Sequence, residues 1–182
     1  MTRMVQRISS RTRRGEKTRG LRPTAARTLE SVFNMLQGEI AERSVLDLFA
    51  GTGAFGIVAL KKHASLAVFA DSSREAQRQI RKALAQYHLE ERAIVFHEDA
   101  FHFLNRVSKD GRTYDIIFAD PPYDLYSIQK VAGAILDAGV LAPGGVLVFE
   151  HSKFEAPPEL DGLTLRRSRV FGDTTISIWD RV

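Results

Sequence analysis

Residues 44–60 read SVLDLFAGTGAFGIVAL: an apolar run holding one acid, a turn with glycines at 51, 53 and 56, and a second apolar run. Glycines at that spacing let a chain turn sharply out of a strand into a helix and bring its backbone close to a ligand. The texture repeats downstream. LAVFAD (66–71), AIVFHEDA (93–100), YDIIFADPPY (114–123) and GVLVFEH (145–151) are short apolar runs that reach an acid, separated by stretches of helical periodicity. Upstream, Leu29, Val32, Phe33 and Leu36 fall on one helical face behind Pro23 and Thr24. Five strand and helix units in alternation predict an α/β fold, a mostly parallel sheet with helices on both faces. LTLRRSRV (163–170) and TTISIW (174–179) leave no room for a crossover helix between them. They predict a C-terminal antiparallel hairpin at one sheet edge.

At 182 residues, 44% hydrophobic and 26% charged, the chain has the composition of one globular domain. The absence of cysteine excludes disulfides, a thiolate nucleophile, a cysteine zinc site and an iron–sulfur cluster. The five histidines show no metal-ligating spacing and no metal is expected; His97 and His102 read as polar surface, while His151 follows Glu150 within reach of the strand ends. No apolar run approaches a membrane span and no secretory leader is visible, so the cytoplasm is the expected location. Charge is uneven: residues 1–30 hold nine Arg or Lys against two Glu, whereas the rest of the chain is net acidic. The reading is a basic arm over 1–20 and one domain over 21–182. Arg11, Arg13, Arg14, Arg19, Arg22 and Arg27 are the candidate phosphate contacts, Arg being suited to bidentate recognition. A solvated terminus or a targeting segment is the competing explanation.

In an open parallel sheet the ligand site lies outside the carboxyl ends of the strands. There this sequence places Asp47, Asp71, Asp99, Asp120 and Glu150. The glycine turn admits a nicotinamide or flavin dinucleotide, or nothing beyond a tight turn; yet Asp47, four residues before Gly51, opposes a pyrophosphate and favours a cationic ligand. S-adenosylmethionine has that charge and no phosphate. On that reading the backbone at Gly51 and Gly53, beside Phe49, admits the methionine part, and Asp47 orients its ammonium. Asp71 and Ser72 meet the ribose hydroxyls, and Asp99 and Ala100 meet the adenine; a helix N-cap is the other use of Asp99.

Asp120, Pro121, Pro122 and Tyr123 spell DPPY directly after a strand. Paired prolines stiffen the backbone and leave carbonyls free to accept. The nitrogen of an exocyclic nucleobase amine is conjugated with its ring and is a poor nucleophile. Two acceptors, the Asp120 carboxylate and the Pro121 carbonyl, would take its hydrogens and aim its lone pair at a methyl carbon, while Tyr123 offers a stacking face.

Together these residues resemble the amino-methyltransferases of nucleic acids. More closely, RPT at 22–24, DLFAGTGAFG, IIFADPPY and VFGDTTISIWD resemble the RsmD family, the bacterial small-subunit ribosomal RNA guanine-N2 methyltransferases, over residues 20–182. The resemblance implies a Rossmann-like class I S-adenosylmethionine-dependent methyltransferase acting on one guanine of 16S ribosomal RNA in the nascent or assembled small subunit. It assigns catalysis to Asp120, Pro121, Pro122 and Tyr123, and the cofactor to Gly51, Gly53 and Asp71. Ala26 and the run Thr52 to Phe55 depart from the family pattern, and the segment before RPT is short. A transfer RNA or DNA amino-methyltransferase and a non-catalytic RNA-binding assembly factor are the alternatives.

Overall fold

Strands apolar along both faces must be covered on both, and the chain does this with helices that alternate with the strands. The computed structural model describes residues 23–182. The basic arm over 1–20, with Arg11, Arg13, Arg14 and Arg19, lies outside the described residues, as does Arg22. The elements are α1 (Pro23–Met35), β1 (Ser44–Leu48), α2 (Ala54–Lys61), β2 (Leu66–Asp71), α3 (Arg74–Tyr87), β3 (Ala93–His97), α4 (Ala100–Lys109), β4 (Tyr114–Ala119), α5 (Ile128–Asp137), β5 (Leu141–Ser152), β6 (Leu163–Phe171) and β7 (Thr174–Arg181). They form one seven-stranded sheet in the order β3-β2-β1-β4-β5-β7-β6. The first five strands are parallel; β7 runs antiparallel between β5 and β6, as the hairpin reading expects.

Two apolar layers flank the sheet. On one face Val32 and Phe33 of α1, Leu36 just after it, Phe55 and Leu60 of α2 and Ile80 and Leu84 of α3 pack on Val45, Phe69, Phe118, Val148, Ile176 and Ile178. On the other, Phe103, Leu104 and Val107 of α4 and Val131 and Ile135 of α5 cover Leu46, Val68, Ile117, Leu147 and Trp179. Phe33, Phe55 and Phe118 stack in series, with centroids 4.9 and 4.3 Å apart. This column joins α1 and α2 to β4 beneath the strand ends. The order reverses between β1 and β4, so the crevice of the topological switch point opens at Phe49–Gly51 and Asp120.

The glycine turn is left-handed at three positions: Phe49 at φ 62°, Gly51 at 53° and Gly53 at 72°. Phe49 adopts that conformation at a cost that a bulky residue seldom bears outside functional sites. Gly53 and Gly56 serve packing. A Cβ on Gly53 would lie 2.7 Å from Ile80 Cγ1, and one on Gly56 would lie 2.3 Å from Phe69 Cε1. The short strand-to-helix approach therefore depends on both hydrogens. Replacing Gly56 with Ala drives a methyl into the buried Phe69 ring and is expected to cost about 1–3 kcal/mol. Urea unfolding of G56A against the parent measures it, and equal midpoints would contradict this packing.

Candidate active site

Asp47 lies inside β1 and is 1% exposed. Its Oδ2 accepts the Gly56 amide at 2.9 Å, which fixes strand to helix, but the described residues bring no cation to it. Burial, only partly offset by that hydrogen bond and reinforced by Asp71, pushes its carboxyl up to about 7. Next to it, Asp71 ties the end of β2 to the turn, accepting Gly51 N–H through Oδ2 at 2.8 Å and Ser73 N–H through Oδ1 at 2.7 Å. Each carboxylate oxygen keeps a lone pair for a further donor.

Three adjoining hollows follow the edge, and Phe49 lines all of them. The first, about 300 Å³, is walled by Thr28, Leu29 and Val32 of α1, by Asp47, Phe49 to Thr52, Ala54 and Phe55, and by Phe118, Asp120 and Glu150. Gly53 is missing from that wall, and its role in the structure is the packing described above. The second, about 500 Å³, runs over Gly51, Asp71, Ser72 and the whole of Asp120 to Tyr123. The third, about 130 Å³, is bounded by Asp71, Ser72, Asp99, Ala100, Leu125 and Tyr126. Asp99 there is also the N-cap of α4, its Oδ1 accepting from Phe101 and His102 amides at 3.0 and 3.2 Å. Tyr126 closes this end, with the Phe101 ring packed against it at 5.1 Å between centroids.

After β4 the chain turns through the two prolines. The Pro122 carbonyl is taken by the Leu125 and Tyr126 amides. Among the described residues, the Asp120 carboxylate and the Pro121 carbonyl accept no hydrogen bond. Asp120 remains open to solvent in the groove. Its carboxyl is nonetheless raised, first by the desolvating walls and then by the like charges of Glu150 and Asp47. Glu150 of β5 follows Phe149, the partner of Ala119, and is raised by burial, against a lowering by its hydrogen bond to Tyr123. The Tyr123 hydroxyl donates to Glu150 Oε1 at 3.1 Å and lies 3.2 Å from Thr174 Oγ1. The tether leaves the Tyr123 side chain 41% exposed.

The profile of the family described as Conserved hypothetical protein 95 matches residues 7–180. The chain is 30% identical over 163 residues to Ribosomal RNA small subunit methyltransferase D of Escherichia coli K12, covering 89% of this chain and 80% of that protein. The chain belongs to the RsmD family. Among solved structures, the Escherichia coli protein yhhF, named as a methyltransferase, superposes with a TM-score of 0.79 at 30% identity, over 90% of this chain and 88% of that one. A conserved hypothetical protein of Streptococcus pyogenes gives 0.78 at 25% identity, over 84% and 94%.

In this RsmD-family chain the sheet edge thus gathers Asp47, Phe49, Gly51, Asp71, Ser72, Asp99, Ala100 and Asp120 to Tyr123 into one groove. Arg27 is exposed on α1 beside Thr28. His151 is turned away: it is buried on the α4 and α5 side, with Nε2 2.8 Å from Ser177 Oγ, because successive strand residues face opposite ways. His97 and His102 are exposed, as expected. Thr28 and Tyr126 line the groove and Thr174 meets the Tyr123 hydroxyl, without a motif to announce them. Only the hairpin register could have pointed to Thr174, through its pairing with Ser152 at the end of β5. Among the described residues no group of acids and histidines is arranged to hold a metal, and no helix is long and apolar enough to cross a membrane.

An Asp47 whose carboxyl titrates near 7 keeps, between pH 4 and 7, a proton that the unfolded chain has lost. Its contribution to stability therefore falls as pH rises through that window. Asp47→Asn keeps an acceptor for Gly56 and removes the charge. The ligand-free variant is expected to gain on the order of 2 kcal/mol at pH 8 and almost nothing at pH 4. Denaturant unfolding at the two pH values checks it, and a variant weaker than the parent at pH 8 would overturn the assignment.

Proposed function

We propose that this protein transfers a methyl group from S-adenosylmethionine to the exocyclic 2-amino group of a guanine in 16S ribosomal RNA of the small ribosomal subunit. One observation carries the reading: two open acceptors, the Asp120 carboxylate and the Pro121 carbonyl, stand side by side on a rigid turn, in a groove that continues to a buried carboxylate without a cation. The first suits an amine with two hydrogens, and the second suits the ammonium of the cofactor. The choice of guanine N2 and of the small subunit rests on membership of the RsmD family and on the name of the Escherichia coli relative.

Asp47 and the turn at Phe49 and Gly51 would hold the methionine part. Asp71 and Ser72 would meet the ribose, and Asp99 and Ala100 the adenine, beside Tyr126. When bound, the cofactor supplies a methyl carried on a sulfonium, already an activated leaving group. Asp120 and Pro121 accept the two N–H hydrogens and turn the nitrogen lone pair out of conjugation with the ring. Tyr123, its hydroxyl fastened to Glu150 and Thr174, presents its ring to the base. Asp120 then takes the proton that the methylated nitrogen sheds, a role suited to a carboxyl of raised basicity. Around this domain the basic arm over 1–20, continued by Arg22 and Arg27, would hold phosphates.

The deciding assay offers labelled S-adenosylmethionine and small subunits from a strain lacking this protein, beside naked 16S RNA, transfer RNA and DNA. The expected product is N2-methylguanosine in small-subunit RNA; label in another base or polymer would overturn the substrate assignment. In the same assay Asp120→Ala is expected to lose at least about 100-fold in rate, with cofactor affinity near that of the parent. Undiminished turnover would refute the mechanism. Deleting residues 2–19 should weaken RNA binding and flatten its salt dependence by about 0.7 log units for each phosphate no longer neutralised on a single strand. An unchanged slope would remove the arm from the interface.

A further inference from the structure

Strand β6 is the outer edge of the sheet, and its side chains sort by charge. Pairing sets Arg167 opposite Ile178, Arg169 opposite Ile176 and Phe171 opposite Thr174. Ile176 and Ile178 belong to the layer under α1. Directly paired residues share a face, so Arg167, Arg169 and Phe171 lie on the α1 side. Arg166 is on that side too, reaching Asp180 and, bidentately, Glu39 just beyond α1. Two consecutive arginines share a face because the register slips by one residue between Leu165 and Arg167. Without that bulge Arg167 would alternate to the opposite face, and Arg169 and Phe171 with it. Leu165, Ser168 and Val170 occupy the other side.

Arg166 is committed to its two carboxylates. Among the described residues Arg167 and Arg169 have no carboxylate partner, and the Arg169 guanidinium lies 5.1 Å from the Phe171 ring centroid. This exposed pair of cations runs toward the groove. Phe171 pairs with Thr174, and Thr174 stands 3.2 Å from the Tyr123 hydroxyl. Charges on an edge strand also discourage pairing with another chain, but either face would serve that purpose. The bulge selects one face, the one continuous with the DPPY site.

We propose that the α1 side of β6 carries the single-stranded RNA that flanks the methylated base, with phosphates on Arg167 and Arg169 and a neighbouring base against the Arg169–Phe171 pair. This rests on the RNA reading of the site given above. The test is the full-length double variant Arg167→Ala/Arg169→Ala, assayed on small subunits from the deletion strain and, for binding alone, on naked 16S RNA. KM for the subunits is expected to rise about tenfold and the salt slope of binding to fall by about 0.7 for each phosphate that the two arginines neutralise. Both kcat and cofactor affinity should stay at parental values. The charge-conserving Arg167→Lys/Arg169→Lys should recover most of the slope. An alanine variant with parental KM, RNA affinity and slope would overturn the proposal. If the parent protein labels no RNA, the site reading fails instead, and 16S RNA binding by parent against double variant still decides the role of β6.

Discussion

Asp47 is a carboxylate taken out of water in the middle of a sheet edge, and no positive side chain among the described residues compensates it. Its one donor among the described residues is the Gly56 amide, so the charge is held by the first turn of α2 and by whatever enters from the groove. That arrangement destabilises the empty protein and favours a cationic guest, because binding relieves a cost already present in the fold. Asp71, Asp120 and Glu150 stand around it and add to the same demand. The turn borders the same hollow through a left-handed Phe49, and α2 lies against β2 closely enough for the Gly56 amide to reach Asp47.

The acceptor pair at Asp120 and Pro121 depends on rigidity from two unrelated sources. The prolines limit the backbone from within. From outside, Tyr123 is pinned by residues on two further strands, Glu150 on β5 and Thr174 on β7. Three strand ends thus converge on one aromatic ring. The antiparallel hairpin, peripheral in the topology, is a direct neighbour of the proposed chemistry.

The sequence announces most of this where one local pattern has one physical meaning. Short apolar runs alternating with helical periodicity specify a parallel sheet, and the acids at the run ends mark its carboxyl edge. The two parts of the glycine motif are less separable. In sequence Gly53 and Gly51 are alike; in three dimensions Gly51 borders the groove, while Gly53 faces Ile80 and is required for packing. Asp99 combines two readings, cap and groove wall, because a helix that begins at a strand end presents its N-terminus to the ligand. His151 misleads in sequence because adjacency along a strand is opposition across the sheet. Thr174 and the face of Arg167 are invisible there for a different reason. Both are set by non-local pairing, and a bulge of one residue reverses the orientation of all that follows it.

The position of β7 has a consequence for the life of the chain before and after folding. Strands β1 to β5 make a sheet whose outer strand offers Val146, Leu147, Val148 and Phe149, all now buried, with backbone groups in search of partners. Until β7 pairs with it, that border is a template for any passing strand, including the same segment of another copy. The hairpin is therefore a guard against self-association. Cleavage anywhere in the connection from 153 to 162, followed by loss of the hairpin, would yield a sticky fragment rather than a smaller stable domain. The charged strand β6 then makes the finished border one that other chains avoid.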